Sequence, residues 1–345
     1  MPPADRPGTR RPAVAVRAPT MEDVAAAAGV SRALVSIVFR DVPGASEQTR
    51  ARVRAAASEL GYRLDHRARL LGRSRTGLVG VTFGVRHSFH ADLVEALYAA
   101  AATIGYDLVL SGVTPGRGEA TAVEALLSYR CEALVLLGPT LRPADLASLV
   151  AARPAVVVAR RVRAPGIDVV RTDDAAGAAL AVEHLLELGH RRIGYVDGGT
   201  APGAAERRRG FRTTMRRAGL DDGLVLPGGL TEADGVAAAE RLLTGRSLPS
   251  AVAVFNDRCA FGVLSTLRAA GRTVPGDLSL VGFDDDRLAS LPHVDLTTVR
   301  QDRDELARLA MTRVAARLDG GDPAPADLVA APRLVVRGTT APGTC

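Results

Sequence analysis

The chain has 345 residues, of which 47% are hydrophobic and 24% charged, so it is long enough for two or three domains with apolar cores. Its formal net charge is +6, and all 44 basic residues are arginine. The lack of lysine excludes enzymes that need a P-loop lysine or a Schiff-base lysine on pyridoxal phosphate.

The positive charge is concentrated at the N-terminal end. Residues 1–75 contain 14 Arg against 7 Asp and Glu, whereas the remainder contains 30 against 31. This asymmetry predicts a polyanion-binding module attached to a nearly neutral body, and a solvated basic face without a partner is the alternative reading of charge alone. Residues 1–19, rich in Pro, Arg and Ala, are expected to form a disordered basic arm.

Cysteine and histidine usage argues against metal sites and disulfides. Cys131, Cys259 and Cys345 are odd in number and far apart, and the histidines other than His90 are scattered with no HxxxH or Cys partner. The N-terminus lacks an apolar export signal, and no run of 18 apolar residues occurs. We therefore expect a cytoplasmic protein with no metal, no cofactor and no membrane partner.

The stretch TMEDVAAAAGVSRALVSIVFR at 20–40 predicts two short helices joined by a tight turn at Gly29. Thr20 with Asp23 resembles a capping box, and Ser31 can begin the second helix. A third helix is expected after Ser46. The apolar positions at helical spacing are Met21, Val24, Ala25 and Ala28; Leu34, Val35 and Val38; and Val53, Ala56, Ala57 and Leu60. Three such helices predict a helix-turn-helix module, although short helical hairpins occur in many folds.

The segment YRLDHRARLLGRSRT at 62–76 is too basic for a core helix and precedes the first strand, LVGVTF. Beyond it, β-rich runs alternate with helical stretches at intervals of roughly 22 to 33 residues. One set is LVGVTF, YDLVLSG, ALVLLG and AVVVAR, and the other is RIGYVDG, GLVLPGG, AVAVFND and LSLVGFDD. The pattern predicts two doubly wound parallel sheets with helices on both faces.

Polar residues end several of these strands, namely Asp197, Asn256, Asp257 and Asp284 to Asp286. The carboxyl ends of parallel strands face the ligand crevice in open α/β sheets, so these groups are candidates for binding a small polar molecule. Each of them could instead cap a helix. The catalytic motifs G-x-S-x-G, the Walker loop and G-x-G-x-x-G after a strand are absent from the sequence, which disfavours an enzyme.

The motifs DVAAAAGVS, TRARVRAAASELGYR, ARLLGRSRTGLVGV, RRRGF, VFND, VGFDD, LTTVRQ and PRLVVRGTTAP, spread over about residues 20–341, resemble the lactose-repressor (LacI/GalR) family of bacterial transcription regulators. The resemblance implies an N-terminal all-α helix-turn-helix domain and an α/β two-lobed, periplasmic-binding-protein-like core of two doubly wound parallel sheets. The implied boundaries are a basic arm at 1–19, the helix-turn-helix domain at 20–64, a hinge helix or linker at 65–76 and the core at 77–341. The N-lobe would comprise about 77–173 and 302–322, and the C-lobe about 174–301 and 323–341.

The resemblance also implies which residues contact DNA. The second helix would enter the major groove with Arg32 and Ala33 at base edges, while Leu71 in the hinge would wedge between base steps of the minor groove. The full implied set is Thr20, Ser31, Arg32, Ala33, Ser36, Ile37, Arg40, Thr49, Tyr62, Asp65, Ala68 and Leu71. Ile37, Arg40, Leu34 and Leu64-Asp65 depart from residues common in the family, so the operator is expected to differ from the common one.

The implied effector-binding residues are Phe89, His90, Arg207, Asn256 and Asp284, with Phe89 and His90 expected in the loop after the first strand. A packed phenylalanine and a surface histidine are the alternative there. The sequence thus predicts a regulator that binds a palindromic DNA operator as a homodimer and responds to a small polar effector, with a sugar as the first candidate. Purines and nucleosides are other effectors in the family. The alternative is a solute-binding protein or sensor that uses the same two-lobed core without an operator.

Overall fold

The computed structural model describes residues 19–62, 75–221, 223–245, 248–321 and 324–343. The chain divides into two compact units, Met1–Arg75 and Thr76–Cys345. We call the described part of the first unit the headpiece and the second unit the core. The predicted basic arm, apart from residue 19, and most of the predicted hinge, including Asp65, Ala68 and Leu71, lie outside the described residues.

The headpiece contains helices α1 (Met21–Ala28), α2 (Arg32–Arg40) and α3 (Glu47–Glu59). Each begins after its predicted cap, because the side chains of Thr20, Ser31 and Ser46 accept hydrogen bonds from backbone N–H groups of the first turns. Gly29 ends α1 with φ at +60°, a conformation that glycine adopts without steric cost. The predicted three-helix module is therefore confirmed.

The headpiece core is formed by the predicted apolar faces, with Val24, Val35 and Val53 fully buried. Leu60 is an exception, because it lies beyond the end of α3 as its C-cap residue and is 39% exposed. The Tyr62 ring packs against this core instead, with its centroid 5.5 Å from that of Phe39.

The N-lobe of the core is a six-stranded parallel sheet in the order β11-β5-β4-β3-β1-β2. Its strands are β1 (Leu78–Gly84), β2 (Asp107–Val113), β3 (Ala133–Leu137), β4 (Ala155–Val158), β5 (Ile167–Thr172) and β11 (Asp327–Ala330). Its helices are α4 (Ser88–Thr103), α5 (Glu119–Ser128), α6 (Pro143–Val150) and α11 (Arg303–Leu318).

The C-lobe sheet has the order β12-β10-β9-β8-β6-β7 and is parallel except for β12, which runs antiparallel to β10. Its strands are β6 (Ile193–Asp197), β7 (Leu224–Pro227), β8 (Ala251–Val254), β9 (Ser279–Asp284), β10 (Thr297–Arg300) and β12 (Arg333–Val335). Its helices are α7 (Asp174–Glu187), α8 (Ala204–Arg217), α9 (Glu232–Thr244) and α10 (Asp257–Ala269), and a 3₁₀ turn spans Arg287–Ser290. The predicted pair of doubly wound sheets is thus confirmed, and the sequence pattern missed four of the short strands, β5, β10, β11 and β12.

The chain crosses between the lobes after β5, after β10 and after β11. The predicted start of the last C-lobe segment at residue 323 is wrong, since β11 belongs to the N-lobe and pairs with β5 in the register Asp327↔Val169. An ion pair between Arg171 and Asp327, with an Nε–Oδ1 distance of 2.8 Å, joins the two strands. The C-lobe therefore resumes only after residue 330.

Asp168 on β5 anchors the returning chain. Its carboxylate is fully buried and accepts hydrogen bonds from Arg313 and Arg317 of α11 at 2.9 and 2.8 Å, and from the backbone N–H of Ala326 at 2.8 Å. Burial alone would raise the pKa of Asp168, but these hydrogen bonds hold it below the ordinary value. One carboxylate therefore joins β5, α11 and the approach to β11.

Asp168→Asn should lower the free energy of unfolding by about 3 kcal/mol, because the buried carboxylate that bonds both Arg313 and Arg317 loses its charge. Urea unfolding measures the change. Asp145→Asn is a matched control, since its one ion pair within the described part of the chain is with the exposed Arg142 at 2.7 Å. That variant should differ from the parent by less than about 0.5 kcal/mol, and equal losses in both variants would contradict the anchoring role of Asp168.

Candidate functional site

The outward side of α2 carries the residues predicted to read DNA. Val35 and Val38 face the headpiece core, whereas Arg32, Ala33 and Arg40 are exposed. Ser36 and Ile37 lie half-buried on the same side as Ala33 and Arg40, at spacings of three and four residues. The structure therefore gathers five of the predicted contacts on one helical surface, which we call the α2 face.

Two arginines of the α2 face make only weak internal contacts. Arg32 pairs with Glu22 at an Nε–Oε1 distance of 3.1 Å, and both side chains are largely exposed. The Nε–H of Arg40 donates to the carbonyl oxygen of Ser36 at 3.2 Å. Exposed pairs contribute about 0 to 1 kcal/mol, so either guanidinium can exchange its partner for a phosphate or a base edge at small cost.

The other described candidates for DNA contact have identifiable structural roles. The Thr20 hydroxyl donates to Asp23 at 2.7 Å and is committed to the capping box. The Ser31 oxygen accepts from the backbone of Leu34 at 3.2 Å and its hydrogen remains free to donate, while the hydroxyls of Thr49 and Ser46 lie 3.0 Å apart. Their contacts with DNA stay predictions.

In the core, all five predicted effector residues line one cavity between the lobes. Phe89 and His90 contribute from the N-lobe, and Arg207, Asn256 and Asp284 from the C-lobe. The cavity has a volume of about 50 Å³. Phe89 and His90 lie in the first turn of α4 and not in the predicted loop, because only residues 85–87 separate β1 from the helix.

Arg207 is the buried charge at the centre of this cavity. Its Nε–H donates to Asp174 at 2.8 Å, and an Nη1–H donates to the carbonyl oxygen of Phe255 at 2.7 Å. The guanidinium carbon lies 3.5 Å from the ring centroid of Phe283 and 4.7 Å from that of Phe255. These contacts fix the orientation of the guanidinium. The neighbouring Arg208 is half-buried and paired with Asp197 instead.

Asp284 lies beside Arg207, with an Oδ1–Nη1 distance of 3.7 Å, and Oδ1 accepts a hydrogen bond from the Gln301 amide at 2.7 Å. Burial raises the pKa of Asp284 to about 7, against the opposing effects of Arg207 and Gln301. Its φ of 122° is a conformation that side-chain-bearing residues rarely adopt, which indicates local strain at the end of β9. Near neutral pH this carboxyl group can therefore both donate and accept.

Two further strand-end residues, Asn256 and Asp257, are held inside the C-lobe. Asn256 caps α10: its side-chain oxygen accepts from the backbone of Cys259 at 2.9 Å, and its amide donates to the carbonyl oxygen of Leu230 at 3.1 Å. Asp257 is fully buried and accepts from Thr298 at 2.6 Å, and its pKa is raised well above the ordinary value by burial and by the charge of Asp284. The predicted ligand contact of Asn256 stays a prediction, since the amide would have to exchange one of these bonds.

Sequence reasoning missed three residues of the site. Gln301 stands in the motif LTTVRQ and lines the cavity, and Asp174 is the ion-pair partner of Arg207. His87 also lines the cavity, with its ring stacked on that of His90 at a centroid distance of 4.5 Å. The motif itself could have pointed to Gln301, whereas Asp174 and His87 carry no comparable signal.

Among the described residues, no cluster of three or more His, Cys, Asp or Glu side chains is placed to hold a metal ion. Within the same part of the chain, no helix combines the length and apolar character needed to cross a membrane.

Comparison with known proteins gives consistent matches for both units. Residues 20–65 match the family of bacterial regulatory proteins called the lacI family, and residues 182–340 match the periplasmic binding protein-like domain. The HTH-type transcriptional regulator GalR of Salmonella typhimurium strain SL1344 is 38% identical over 289 residues, which cover 81% of this chain and 84% of that protein.

Two solved structures extend these matches. The structure of a LacI transcriptional regulator from a Rhodococcus species is 49% identical, with a TM-score of 0.75 over 77% of this chain and 99% of that one. The lac repressor dimer bound to operator and the anti-inducer ONPF is 28% identical, with a TM-score of 0.80 over 94% of this chain and 100% of that one.

Asp284→Asn should change how stability depends on pH. The native carboxyl keeps its proton up to about pH 7, whereas in the unfolded chain it ionises near its ordinary pKa of about 3.9. Its stabilising contribution is therefore complete below about pH 4 and is lost as the pH rises through 7. Urea unfolding should show the parent losing on the order of 2 to 4 kcal/mol relative to the variant between about pH 4.5 and 8. Asp174 and Asp257 titrate in both proteins, so parallel pH profiles would contradict the raised pKa of Asp284.

Proposed function

The chain belongs to the lacI family of bacterial regulatory proteins, and from that premise we propose that it is an operator-binding transcriptional repressor controlled by a small polar effector. The observation that carries the proposal is the combination of an exposed α2 face in the headpiece with a polar cavity between two lobes in the core. A regulator that binds the chromosome works in the cytoplasm, where we place it. The relatives matched are regulators, and we propose no catalytic activity.

For DNA recognition, we assign Arg32, Ala33, Ser36, Ile37 and Arg40 to the major groove. Arg32 and Arg40 supply donors for guanine edges or phosphates. Ile37 can offer only apolar contact, for example to a thymine methyl group, so the preferred operator should contain an A·T pair at the position that it faces. Leu71 is proposed as the minor-groove wedge, with Asp65 and Ala68 beside it.

We propose that the protein acts as a homodimer on a palindromic operator, as each headpiece covers one half-site. The lac repressor to which the chain is similar is a dimer on its operator. At one edge of each sheet, strands β2 and β7 carry apolar side chains at the surface, with Leu110 38% and Leu224 46% exposed. Such strand edges are commonly covered by a partner, which supports this assignment.

For the effector, we propose a sugar whose hydroxyls form hydrogen bonds with Arg207 and Asp284. Planar guanidinium donors beside a carboxyl group that both donates and accepts suit pairs of neighbouring hydroxyls. A cavity of about 50 Å³ is far smaller than the roughly 300 to 1,000 Å³ of small-molecule sites. Ligand entry therefore requires the lobes to move apart, which provides the link between occupancy and conformation.

The lobes are connected near this ligand site. Asp174, which pairs with Arg207, follows the first crossing of the chain, and Gln301, which bonds Asp284, precedes the second. A ligand that draws Arg207 and Asp284 toward itself thus acts directly on two crossing segments. It can change operator affinity only by its differential affinity for two lobe arrangements, a coupling of about 1 to 3 kcal/mol.

A solute-binding protein or sensor is the alternative use of the two-lobed core. It would have no need for a basic helix-turn-helix unit whose exposed face carries Arg32 and Arg40. The operator experiment below separates the two functions, because only the regulator binds one duplex in preference to others.

Selection from a random duplex pool should yield a palindrome that binds two chains per duplex. The logarithm of its affinity should fall linearly with the logarithm of salt concentration, since arginine contacts release counterions. In fluorescence anisotropy, Arg32→Ala should weaken binding about 10-fold or more, whereas Arg308→Ala, in an exposed pair with Glu305 on α11, should match the parent. Equal affinity of the parent for selected and random duplexes would refute the specific regulator.

Arg207→Lys should lower sugar affinity about 10-fold or more while operator binding persists. Lysine can keep the charge opposite Asp174 and so limit damage to the fold, but it lacks the planar fork that holds two hydroxyls. Calorimetry against a panel of sugars, with and without the selected operator, measures both effects. Arg192→Lys is the control, because the Arg192 side chain lies at the surface of the C-lobe and, among the described residues, bonds the carbonyl oxygen of Leu248 alone. Full sugar affinity and full release of operator by Arg207→Lys would show that the effector binds elsewhere.

A further inference from the structure

We propose that Arg287 and Arg258 of the C-lobe act as a latch that holds the two lobes together over the effector site. Both side chains contact the N-lobe segment that runs from the loop after β1 into α4. The latch rests on the proposed function, since it regulates access to the ligand site of the same regulator.

Arg287 makes ion pairs with two acids of the N-lobe. It lies in the 3₁₀ turn after β9, and its Nε is 2.9 Å from Oδ1 of Asp92. An Nη2–H of the same guanidinium donates to Oε2 of Glu95. Asp92 and Glu95 are three residues apart on α4, so both carboxylates lie on one side of that helix. A single arginine of the C-lobe therefore bonds two successive turns of an N-lobe helix.

Asp92 makes this contact stronger than an ordinary surface pair. Its side chain is 8% exposed, and Oδ2 accepts a hydrogen bond from Nη1 of Arg303 at 2.7 Å. Arg303 begins α11 two residues after Gln301, at the second crossing of the chain. The exposed pair of Arg287 with Glu95 contributes little by itself, whereas a carboxylate shielded from water interacts more strongly with its cations. Asp92 therefore joins α4, the second crossing and the C-lobe turn.

Arg258 provides a second contact between the lobes. An Nη1–H donates to the backbone carbonyl oxygen of Arg86, in the loop between β1 and α4. The guanidinium is held in place by Glu232, whose carboxylate accepts from Nε at 2.8 Å and from Nη2 at 2.5 Å. Glu232 begins α9 and Arg258 lies in the first turn of α10, so the arginine extends toward the N-lobe from two packed helices.

The sheet positions of these contacts determine how they resist lobe separation. The chain crosses between the lobes after β5, β10 and β11, which lie at or beside one edge of each sheet. Arg86 follows β1, three strands away from β5, and Arg258 follows β8, two strands away from β10. Lobes that rotate about the crossings move furthest apart at a distance from that edge. Separation of the lobes therefore requires the Arg258 and Arg287 contacts to break.

The latch also connects the two elements that carry the proposed ligand contacts. Asp284 ends β9 three residues before Arg287, whereas Phe89 and His90 lie in the first turn of α4 just before Asp92. The ion pair of Arg287 with Asp92 thus holds the C-lobe side of the cavity against its N-lobe side. Because ligand entry needs these sides to move apart, the latch opposes entry.

Solvent and ions reach the latch. Arg287 and Glu95 have side chains 62% and 71% exposed, and a space of about 390 Å³ is lined by both of them, together with Asp92 and Asp286. Salt screens charges that are exposed to solvent much more than charges that are buried. The latch is therefore expected to loosen as ionic strength rises, independently of any effect of salt on DNA.

The test is double electron–electron resonance of the full chain without added sugar, with spin labels at Glu124→Cys in α5 and Glu240→Cys in α9. Both positions are exposed, one in each lobe. All proteins carry Cys345→Ser, whereas Cys131 and Cys259 are buried and stay unlabelled. Dilution with unlabelled chain leaves one labelled copy in each assembly, so that the distance measured lies within one chain.

Arg287→Gln and Arg258→Gln should each add a population whose label distance is about 2 Å or more longer than in the parent. Arg287→Lys keeps the positive charge and should stay close to the parent. Arg308→Gln is the matched control, because its exposed pair with Glu305 lies within one N-lobe helix. Raising salt from about 0.1 to 1 M shortens the Debye length from about 10 to 3 Å, so it should lengthen the distance in the parent and change Arg287→Gln less.

Distances in Arg287→Gln and Arg258→Gln that match the parent would overturn the latch. So would equal lengthening in Arg308→Gln, or lengthening in Arg287→Lys as large as in Arg287→Gln. Circular dichroism checks that each variant folds, and the salt series on the parent decides the question without any substitution, since an unresponsive parent contradicts the latch. Anisotropy with the selected operator separates the outcomes: unchanged distances remove only the latch, whereas the absence of specific operator binding removes the regulator itself.

Discussion

The ion pair between Arg207 and Asp174 is the interaction on which the ligand site depends. A guanidinium buried between Phe255 and Phe283 would be costly without a charged partner, and Asp174 supplies one at 2.8 Å. The pair forms because α7 and α8 pack very closely: a Cβ atom at Gly210 would lie 2.3 Å from the carbonyl oxygen of Ala175. A glycine one turn beyond Arg207 therefore brings the arginine within reach of the helix that starts the C-lobe. In the RRRGF motif, Gly210 allows α7 and α8 to pack closely, and Arg207, the first arginine, forms its ion pair with Asp174 across that contact.

The same ion pair connects the proposed ligand site to the segments that join the two lobes. Asp174 and Gln301 lie next to crossings of the chain, and each is bonded to a C-lobe group of the cavity. The site also contains buried acids without a full complement of cations, since the pKa values of Asp257 and Asp284 are both raised by burial. Asp284 also has the rarely adopted φ of 122°. A ligand that bonds Arg207 and Asp284 shifts the balance between lobe arrangements only by its differential affinity for them.

The sequence predicted those features that depend on local chemistry. Thr20, Ser31 and Ser46 begin their helices because a cap acts within four residues. Asn256 and Asp284 were candidates because they end strands, whereas the grouping of Arg207 with them was implied by the resemblance to the lactose-repressor family and not by local chemistry. Features that depend on tertiary packing were not predicted. Strands β11 and β12 are four and three residues long, too short to show a periodic pattern. The arginine that bonds Asp168 lies on α11, about 150 residues away in the sequence. In the sequence, Asp174 has the position of an acidic residue in the first turn of a helix, and its pairing with Arg207 follows only from the packing of α8 against α7.

The placement of β11 in the N-lobe has a consequence for how the protein is made. Translation delivers β1 to β5 first, but the N-lobe sheet lacks its outer strand, and α11 is missing from its face, until residue 330 has been added. By then the ribosome has already released nearly all of the C-lobe. The nascent N-lobe therefore stays incomplete, without the α11 partners of Asp168, while about 130 residues of the C-lobe are synthesised. Neither lobe corresponds to a continuous stretch of the gene, so recombination cannot exchange one lobe between relatives by a single crossover.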